Sequence, residues 1–589
     1  MSLSGLSSIM SQQSVMAQQL ALQQQQEMMR QQGLTDTLQN AQGANLSEKL
    51  DSIAQKQETE MQMHNGNSSS TLASAQKLSI QDNMEELMLS NAAMSQMNQI
   101  NGTGENDVIT ARPNEDGSIT FRINDEEQTF SQEEVAKGFV IYSGDGNDII
   151  DVSASSANFI INSGEGNNSV SLGSGRNIAV TGNGDNVIKG NEDGSKGTSI
   201  YTGAGKNNIS LGEGSTNKVT TNGGANTITA GKGSVNDIIN KNQTGETSTI
   251  QLNTDTDNYV TSLGASDITV GDGNNSIRQN NGVANIKAGD GNNTIIGGEQ
   301  GNNIKVGNGN NYIEGGAGDD KIVAGDGDNI IYGLDGDDAI VAGNGDNYID
   351  GGKGNDTVVA GNGKNIVMGG RGDDKITVTG AGGTIIDDSD GSNINAKGNN
   401  IKLYDSKATA SLGQSVGSYG DSKFHQRVQS DLEVLRATES GRKLLGELDK
   451  SEHKTTIERS NQNNGGAATY IPGNDYKKYV KPNGEKGDGA DAVVGYNPSF
   501  RSGDAKPSVI LFHELSHAYN ITTGTMANGY IDENGKQVKA SEHQAVGLNM
   551  DSIDPIAHPD GTISASNPDG ISENAFRTEL GLDLRETYL

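Results

Sequence analysis

Between residues 307 and 378 the chain repeats every nine residues without a slip. The run reads Gly307-Asn308-Gly309-Asn310-Asn311-Tyr312-Ile313-Glu314-Gly315, then Gly316-Ala317-Gly318-Asp319-Asp320-Lys321-Ile322-Val323-Ala324, and continues through Gly370. Each unit joins a glycine-rich turn to a short strand with one apolar residue, such as Ile313, Ile322, Ile331 or Ile340. One unit cannot bury that side chain alone. Stacked units can, so the repeat predicts a parallel β-roll whose narrow core is a column of Ile and Val. With slips of phase, the same pattern spans about residues 143–390. Composition agrees: 81 Gly, no Trp and 4% aromatics do not supply an aromatic-rich core throughout a chain of 589 residues, which is also too long for one ordinary domain.

The unit Gly315-Gly316-Ala317-Gly318-Asp319-Asp320-Lys321-Ile322-Val323, and likewise Gly351-Gly352-Lys353-Gly354-Asn355-Asp356-Thr357-Val358-Val359, resembles the RTX (repeats-in-toxin) nonapeptide Gly-Gly-x-Gly-x-Asp-x-apolar-x. That resemblance implies calcium, chelated by turn carbonyls and the Asp carboxylate, an oxygen-only site suited to a hard cation. The ligand position alternates Asn311, Asp320, Asn329, Asp338, Asn347, Asp356, Asn365, Asp374. Consecutive units occupy opposite sides of a β-roll, so the Asp fall on one edge and the Asn on the other. Calcium is expected at Asp320, Asp338, Asp356 and Asp374, with the Asn edge closed by its own amide hydrogen bonds. Upstream, Asn168, Asn186, Asn275 and Asn293 hold the position, and Asp148 is an isolated exception, so the first half of the roll should bind little calcium. The plain reading of the roll is a spacer with structural calcium; the alternative is a switch that folds only where calcium is abundant. Single Gly-x-Gly-x-x-Gly matches here are products of the repeat and carry no nucleotide meaning.

The net charge of −33 argues against nucleic acid and anionic membranes as partners, and for cations. With no Cys, disulfides, thiolate zinc sites and thiol nucleophiles are excluded. No apolar run reaches the roughly 18–20 residues of a membrane span. The N-terminus has neither a basic n-region nor an apolar h-region, which predicts export by a route without a conventional signal peptide. Residues 1–105 are rich in Gln, Ser, Met and Asn, and read as a disordered or partly helical arm. The sharper reading is a type III secretion leader with a secretion chaperone as its partner. Residues 106–142 contain Asp107-Val108-Ile109-Thr110 and Ser118-Ile119-Thr120-Phe121-Arg122-Ile123 around Asn114-Glu115-Asp116-Gly117, a hairpin pattern expected to cap the roll.

Beyond about residue 400 the composition turns globular, and six of the seven His lie past residue 420. Phe424, Val428, Leu432 and Leu435 follow helical spacing, Gly441 to Leu448 suggests a second helix, and Ala492 to Pro498 reads as a strand. That strand precedes a helix beginning near Pro507, a place where zinc peptidases often hold extended substrate. The helix carries His513-Glu514-Leu515-Ser516-His517. Two His four apart share one helix face and can converge on one zinc ion, with Glu514 placed to take a proton from water at the metal. A hydrolytic zinc site needs a third ligand and an open position. The candidates are Glu542, His543, His558 and Asp551. Glu542 is preferred, because a His/His/Glu set completed from a downstream helix is a common solution.

Leu511 to Tyr519, Glu542 to Leu548 and Glu573 to Tyr588 together resemble the NleD-like zinc metallopeptidase effectors that bacteria deliver by type III secretion. The resemblance covers about the last third of the chain. It implies secretion into a host cell and hydrolysis of a host protein, with mitogen-activated protein kinases as the family's targets. Arg585-Glu586-Thr587-Tyr588 is also similar to the Arg-x-x-Tyr of clostridial neurotoxin proteases. By that similarity Tyr588 donates to the developing oxyanion and Arg585 orients it or binds a substrate carbonyl. The expected architecture is multidomain: the arm 1–105, the β cap 106–142, an RTX-like parallel β-roll 143–400, a linker 401–420, and an α+β zincin-like metallopeptidase domain 421–589. The expected function is a secreted zinc endopeptidase using Zn2+ and Ca2+. The alternative is a structural or adhesive calcium-binding surface protein with an inactive peptidase-like domain.

Overall fold

The computed structural model describes residues 96–588 apart from 243, 381, 388–391, 398–400, 406–410, 461–468, 471–478, 482–484, 501–505, 552, 554–555 and 558–562. Most of the expected arm, residues 1–95, and the candidate ligand His558 lie outside the described residues.

Two long parallel sheets face one another across the roll. One has sixteen strands, from Asn98–Asn101 to Ile401–Asp405, each hydrogen-bonded to the strand one full coil away. In the regular segment a coil is eighteen residues, so Ile313 lies opposite Ile331 and Ile331 opposite Ile349. The other sheet stacks the alternate strands, and there Ile322 pairs with Ile340 and Ile340 with Val358. These inward residues form one continuous apolar column from Ile100 to Ile385. Upstream, coil length varies: Ile200 faces Val219 and Ile238 faces Val260, while Val260 faces Ile277. The slips of sequence phase are absorbed in turns while the inward register holds, because a shift of one residue would point each apolar side chain at solvent.

The N-terminal end of the roll is plugged by a hairpin of Val108–Pro113 with Ile119–Ile123, a third strand Glu126–Phe130, and a short helix α1, Gln132–Val135. Phe121, Phe130, Phe139 and Phe159 pack together there, with ring centroids of neighbouring pairs 4.7–6.4 Å apart. The plug covers apolar side chains that no further coil would bury.

Three boundaries differ from those expected. Asn98–Asn101, assigned to the arm, is the first strand of the long sheet, paired with Phe139–Tyr142 and burying Ile100. The roll does not stop at 400, since Ile401–Asp405 pairs with Gly383–Asp387 in the same eighteen-residue register. The expected linker 401–420 therefore holds that last strand and also Val416–Tyr419, the first strand of the C-terminal sheet. Backbone pairing continues past the point where the glycine and aspartate signature of the turns ends, and only the signature is visible in sequence.

The C-terminal region has a four-stranded sheet in the order Val416–Tyr419, Thr455–Arg459, Ala492–Tyr496, Thr469–Tyr470. Only the last pairing is antiparallel. Ala492–Tyr496, the strand expected to hold substrate, is paired along one side by Thr455–Arg459, and on the other Val493 and Val494 pair with Tyr470 and Thr469. Around the sheet pack α2, Ser422–Ala437, and α3, Glu439–Lys450. They are joined by helices α4, Pro507–Thr523, α5, Ala540–Val546, and α6, Glu573–Leu580. Helix α2 buries Phe424, Val428, Leu432 and Leu435, as their spacing predicts, and its N-cap Asp421 accepts from the Phe424 N–H at 2.8 Å. Helix α4 starts with Pro507 at its first turn and stops at Gly524, which takes the left-handed conformation with φ 70°. It is buried on nearly every side, and Phe512 stacks on Phe576 of α6 with centroids 4.5 Å apart.

Candidate metal centres

The first centre is the aspartate edge of the roll. Asp320, Asp338, Asp356 and Asp374 form a buried column in which the first three backbone N–H groups each donate to Oδ1 of the next Asp, at 2.7–2.8 Å, and the Asp374 N–H donates to Ser392 Oγ at 2.9 Å. The Oδ2 atoms of Asp320, Asp338 and Asp356 are buried without a hydrogen-bond partner. The Oδ2 atoms of all four lean over glycine: a Cβ on Gly315, Gly333, Gly351 or Gly369 would come within 2.3–2.5 Å of Oδ2 of the Asp five residues on. Burial, with neighbouring carboxylates adding, pushes Asp338 up to about 8, and burial pushes Asp320 and Asp356 up to about 7. An acceptor-only column with spare buried oxygens fits a hard cation.

The opposite edge closes on its own side-chain amides. The Nδ2 of Asn311 donates to Gly309 O at 2.8 Å, to Gly307 O at 3.3 Å and to Asn329 Oδ1 at 2.9 Å. Asn329 and Asn347 repeat the pattern. The amide fills with its own hydrogens the place that a carboxylate leaves open. Upstream, Asn168, Asn186, Asn207, Asn275 and Asn293 close their turns in the same way. Asp148 differs, having a buried Oδ2 without a partner.

The second centre is on α4. One helical turn puts His513 Nε2 3.2 Å from His517 Nε2. From α5, Glu542 Oε2 reaches both, at 3.4 and 3.0 Å. Three ligand atoms so spaced match the edges of a tetrahedral zinc site with bonds of about 2.0–2.2 Å. His513, Glu514 and His517 also offer one ligand atom each within 4.8 Å of one another. The closer triangle, however, is the one completed by Glu542, and Glu514 Oε1 stands off at 3.8 Å from His513. Of the other candidates, His543 faces Asn549 O at 3.3 Å and Glu533 at 3.7 Å, because one step along α5 turns it away from the pair. Asp551 is exposed; its Oδ2 accepts from the Asn549 amide and its N–H donates to Asn549 Oδ1.

Around this triangle lies a second set of groups, of which the sequence named Arg585 and Tyr588 but not Glu573. Glu573, at the start of α6, takes the His513 Nδ1 hydrogen bond at 3.0 Å and holds Arg577 through its other oxygen at 2.6 Å. Burial would raise the Glu573 carboxyl, but His513, Arg577 and Arg585 hold it down at about 2. Burial opposes charge on His513 as well, yet Glu542, Glu573 and Glu514 raise it to about 10. The pocket is an anionic cage that favours a positive charge at its centre. The C-terminal segment folds back over it. Asn574 pins Arg585 by two hydrogen bonds to its backbone, at 2.8 and 2.9 Å, and Glu533 accepts from the Tyr588 N–H at 2.9 Å. Tyr588 stacks on His513 with centroids 6.3 Å apart, and the Arg585 guanidinium lies 4.6 Å over the Tyr588 ring. Burial, then the nearby Glu542, raises the Tyr588 hydroxyl well above its ordinary value, which keeps its proton on. From sequence, Glu573 after the N-cap Ser572 reads as an ordinary first-turn carboxylate, and only the approach of α6 to α4 gives it His513.

Residues 413–588 match the model of the M91 peptidase family, described as an effector protein. Segments 140–154, 160–193, 279–313, 305–340 and 341–376 match the RTX calcium-binding nonapeptide repeat. The C-terminal segment thus matches the family model of the NleD-like M91 effector peptidases, and segments matching RTX repeats precede it in the same chain. No curated protein and no solved structure matches the chain.

Proposed function

We propose that this chain is a secreted zinc endopeptidase effector that hydrolyses a host protein, with a calcium-binding roll ahead of the enzyme. The single observation that carries the reading is the 3.0–3.4 Å triangle of His513, His517 and Glu542, with Glu514 beside it and Tyr588 across it. Zinc held by those three residues would supply Lewis acidity to water and to the scissile carbonyl. Glu514 takes the proton of the attacking water and returns it to the leaving amine. The Tyr588 hydroxyl, kept protonated, donates to the tetrahedral oxygen, and Arg585 fixes the Tyr588 ring. Glu573 orients His513 through Nδ1 and selects the tautomer that leaves Nε2 free for a metal. A signalling kinase is the substrate class that the family resemblance implies. Type III export through the arm 1–105, with a chaperone bound to it, is the proposed route.

Host-cell lysate incubated with the full chain should yield new protein termini that disappear when zinc is chelated and return when zinc is restored. A lysate unchanged by the zinc-loaded protein would leave the structural or adhesive reading in its place. Glu573→Gln keeps the shape but weakens the acceptor for His513, and it is expected to loosen zinc by about 10–100-fold in competition with a colorimetric chelator. Unchanged zinc affinity would remove the orienting role of Glu573.

A further inference from the structure

The long sheet changes character at residue 312. Most strands upstream alternate buried and half-exposed residues, as in Thr198–Thr202 and Asn258–Ser262, and the short Thr294–Ile296 just before the change is already buried throughout. The strands Tyr312–Ala317, Ile330–Asp335, Tyr348–Lys353 and Asn365–Arg371 are instead buried on both faces for most of their length. Their outward side chains, among them Tyr332, Tyr348, Ile366 and Met368, belong to the same apolar cluster as Phe424, Leu432, Phe512 and Leu515 of the peptidase. Polar contacts lock the seam. Asp431 of α2 accepts from Tyr348 at 2.6 Å, from Tyr332 at 3.3 Å and from Tyr496 of the peptidase sheet at 2.7 Å. Arg427, one turn earlier, makes a buried ion pair with Glu314.

These are the coils whose turns carry the aspartate column. Leu334 joins the two features directly. It occupies the position held by Gly316, Gly352 and Gly370 in neighbouring coils, it has φ 86°, and its side chain is buried in the peptidase core. A non-glycine residue there is strained, and persists only where its surroundings hold it. It lies four residues before Asp338. We infer that calcium held along Asp320, Asp338, Asp356 and Asp374 controls assembly of the peptidase core, and through it the zinc site. Without the cation Asp320, Asp338 and Asp356 each keep a buried carboxyl oxygen with no partner in the turns between these strands, a cost that loosens the coils, and α2 loses the surface on which it is packed. The zinc arm rests on the function proposed above; the coupling itself does not.

Hydrogen exchange of the full chain read by mass spectrometry tests the inference. Removing calcium, with zinc present, should speed exchange at least tenfold in 312–386 and, together with it, in α2 and α4. Zinc retained after dialysis should fall in parallel. Asp320→Asn, Asp338→Asn, Asp356→Asn and Asp374→Asn in one chain should relieve the calcium requirement in all three segments, because Asn closes such turns by itself. Asn302 already does so in the same column, donating to Gln300 O at 2.6 Å and to Asp320 Oδ1 at 3.1 Å. Tyr332→Ala with Tyr348→Ala should leave 312–386 protected by calcium while α2 exchanges faster. Coupling is overturned if α2 and α4 remain protected while 312–386 opens, or if the tyrosine pair leaves α2 unaffected. Coupled exchange in a protein that cleaves nothing in lysate would remove the peptidase reading and leave the coupling standing.

Discussion

Glu514→Gln is expected to lower turnover by roughly 10²–10⁴-fold with zinc still bound. The amide matches the carboxylate in size, so α4 keeps its packing and His513 and His517 keep their places. What is lost is a group that can take a proton from water and give it to the leaving nitrogen. Glu514 is buried, 7% exposed, and stands 3.8 Å from His513 Nε2, beyond the ligand triangle yet beside it. That separation is why the substitution should spare the metal. Rates of appearance of a single identified cleavage product, with zinc content measured on the same sample, check the prediction. A variant that cleaves at the wild-type rate would exclude Glu514 as the base, and one that has lost its zinc would make Glu514 a ligand.

Arg427→Met is expected to destabilise the C-terminal region by about 3–5 kcal/mol, the usual cost of leaving one member of a buried ion pair without its partner. Both side chains are almost wholly inaccessible, 3% for Arg427 and 1% for Glu314. Glu314 also accepts from the Tyr312 hydroxyl at 2.5 Å, so loss of the guanidinium strands a carboxylate inside an apolar seam. Adding Glu314→Leu should recover most of the loss, because two apolar groups of similar bulk remove the uncompensated charge. Urea unfolding followed by tyrosine ellipticity, with calcium held constant, measures both. Equal damage from the single and double variants would mean that packing, not the ion pair, holds the seam.

How much of this was legible in sequence depends on the range of each interaction. The zinc-type motif was legible because His513 and His517 are one turn apart on a helix, and helix geometry alone brings them together. Glu542 was a choice among four candidates, since the path from α4 to α5 cannot be read from local pattern. Glu573 gained its role only when α6 packed on α4. The strand Ala492–Tyr496 was found, but its neighbours were not, and a strand's function depends on which edge is free.

The sequence alone determined the roll, its nine-residue unit, and the division of Asp and Asn between its two edges. Each of these follows from a local pattern repeated until no other packing is open to it. Only the tertiary structure decided where the roll begins and ends, and that its last coils form one wall of the peptidase core. Asp431 and Tyr348 meet across 83 residues of chain, and Arg427 and Glu314 across 113. Nothing periodic links them: tyrosines on the outer face of a strand read as surface residues until a helix from another region is laid upon them.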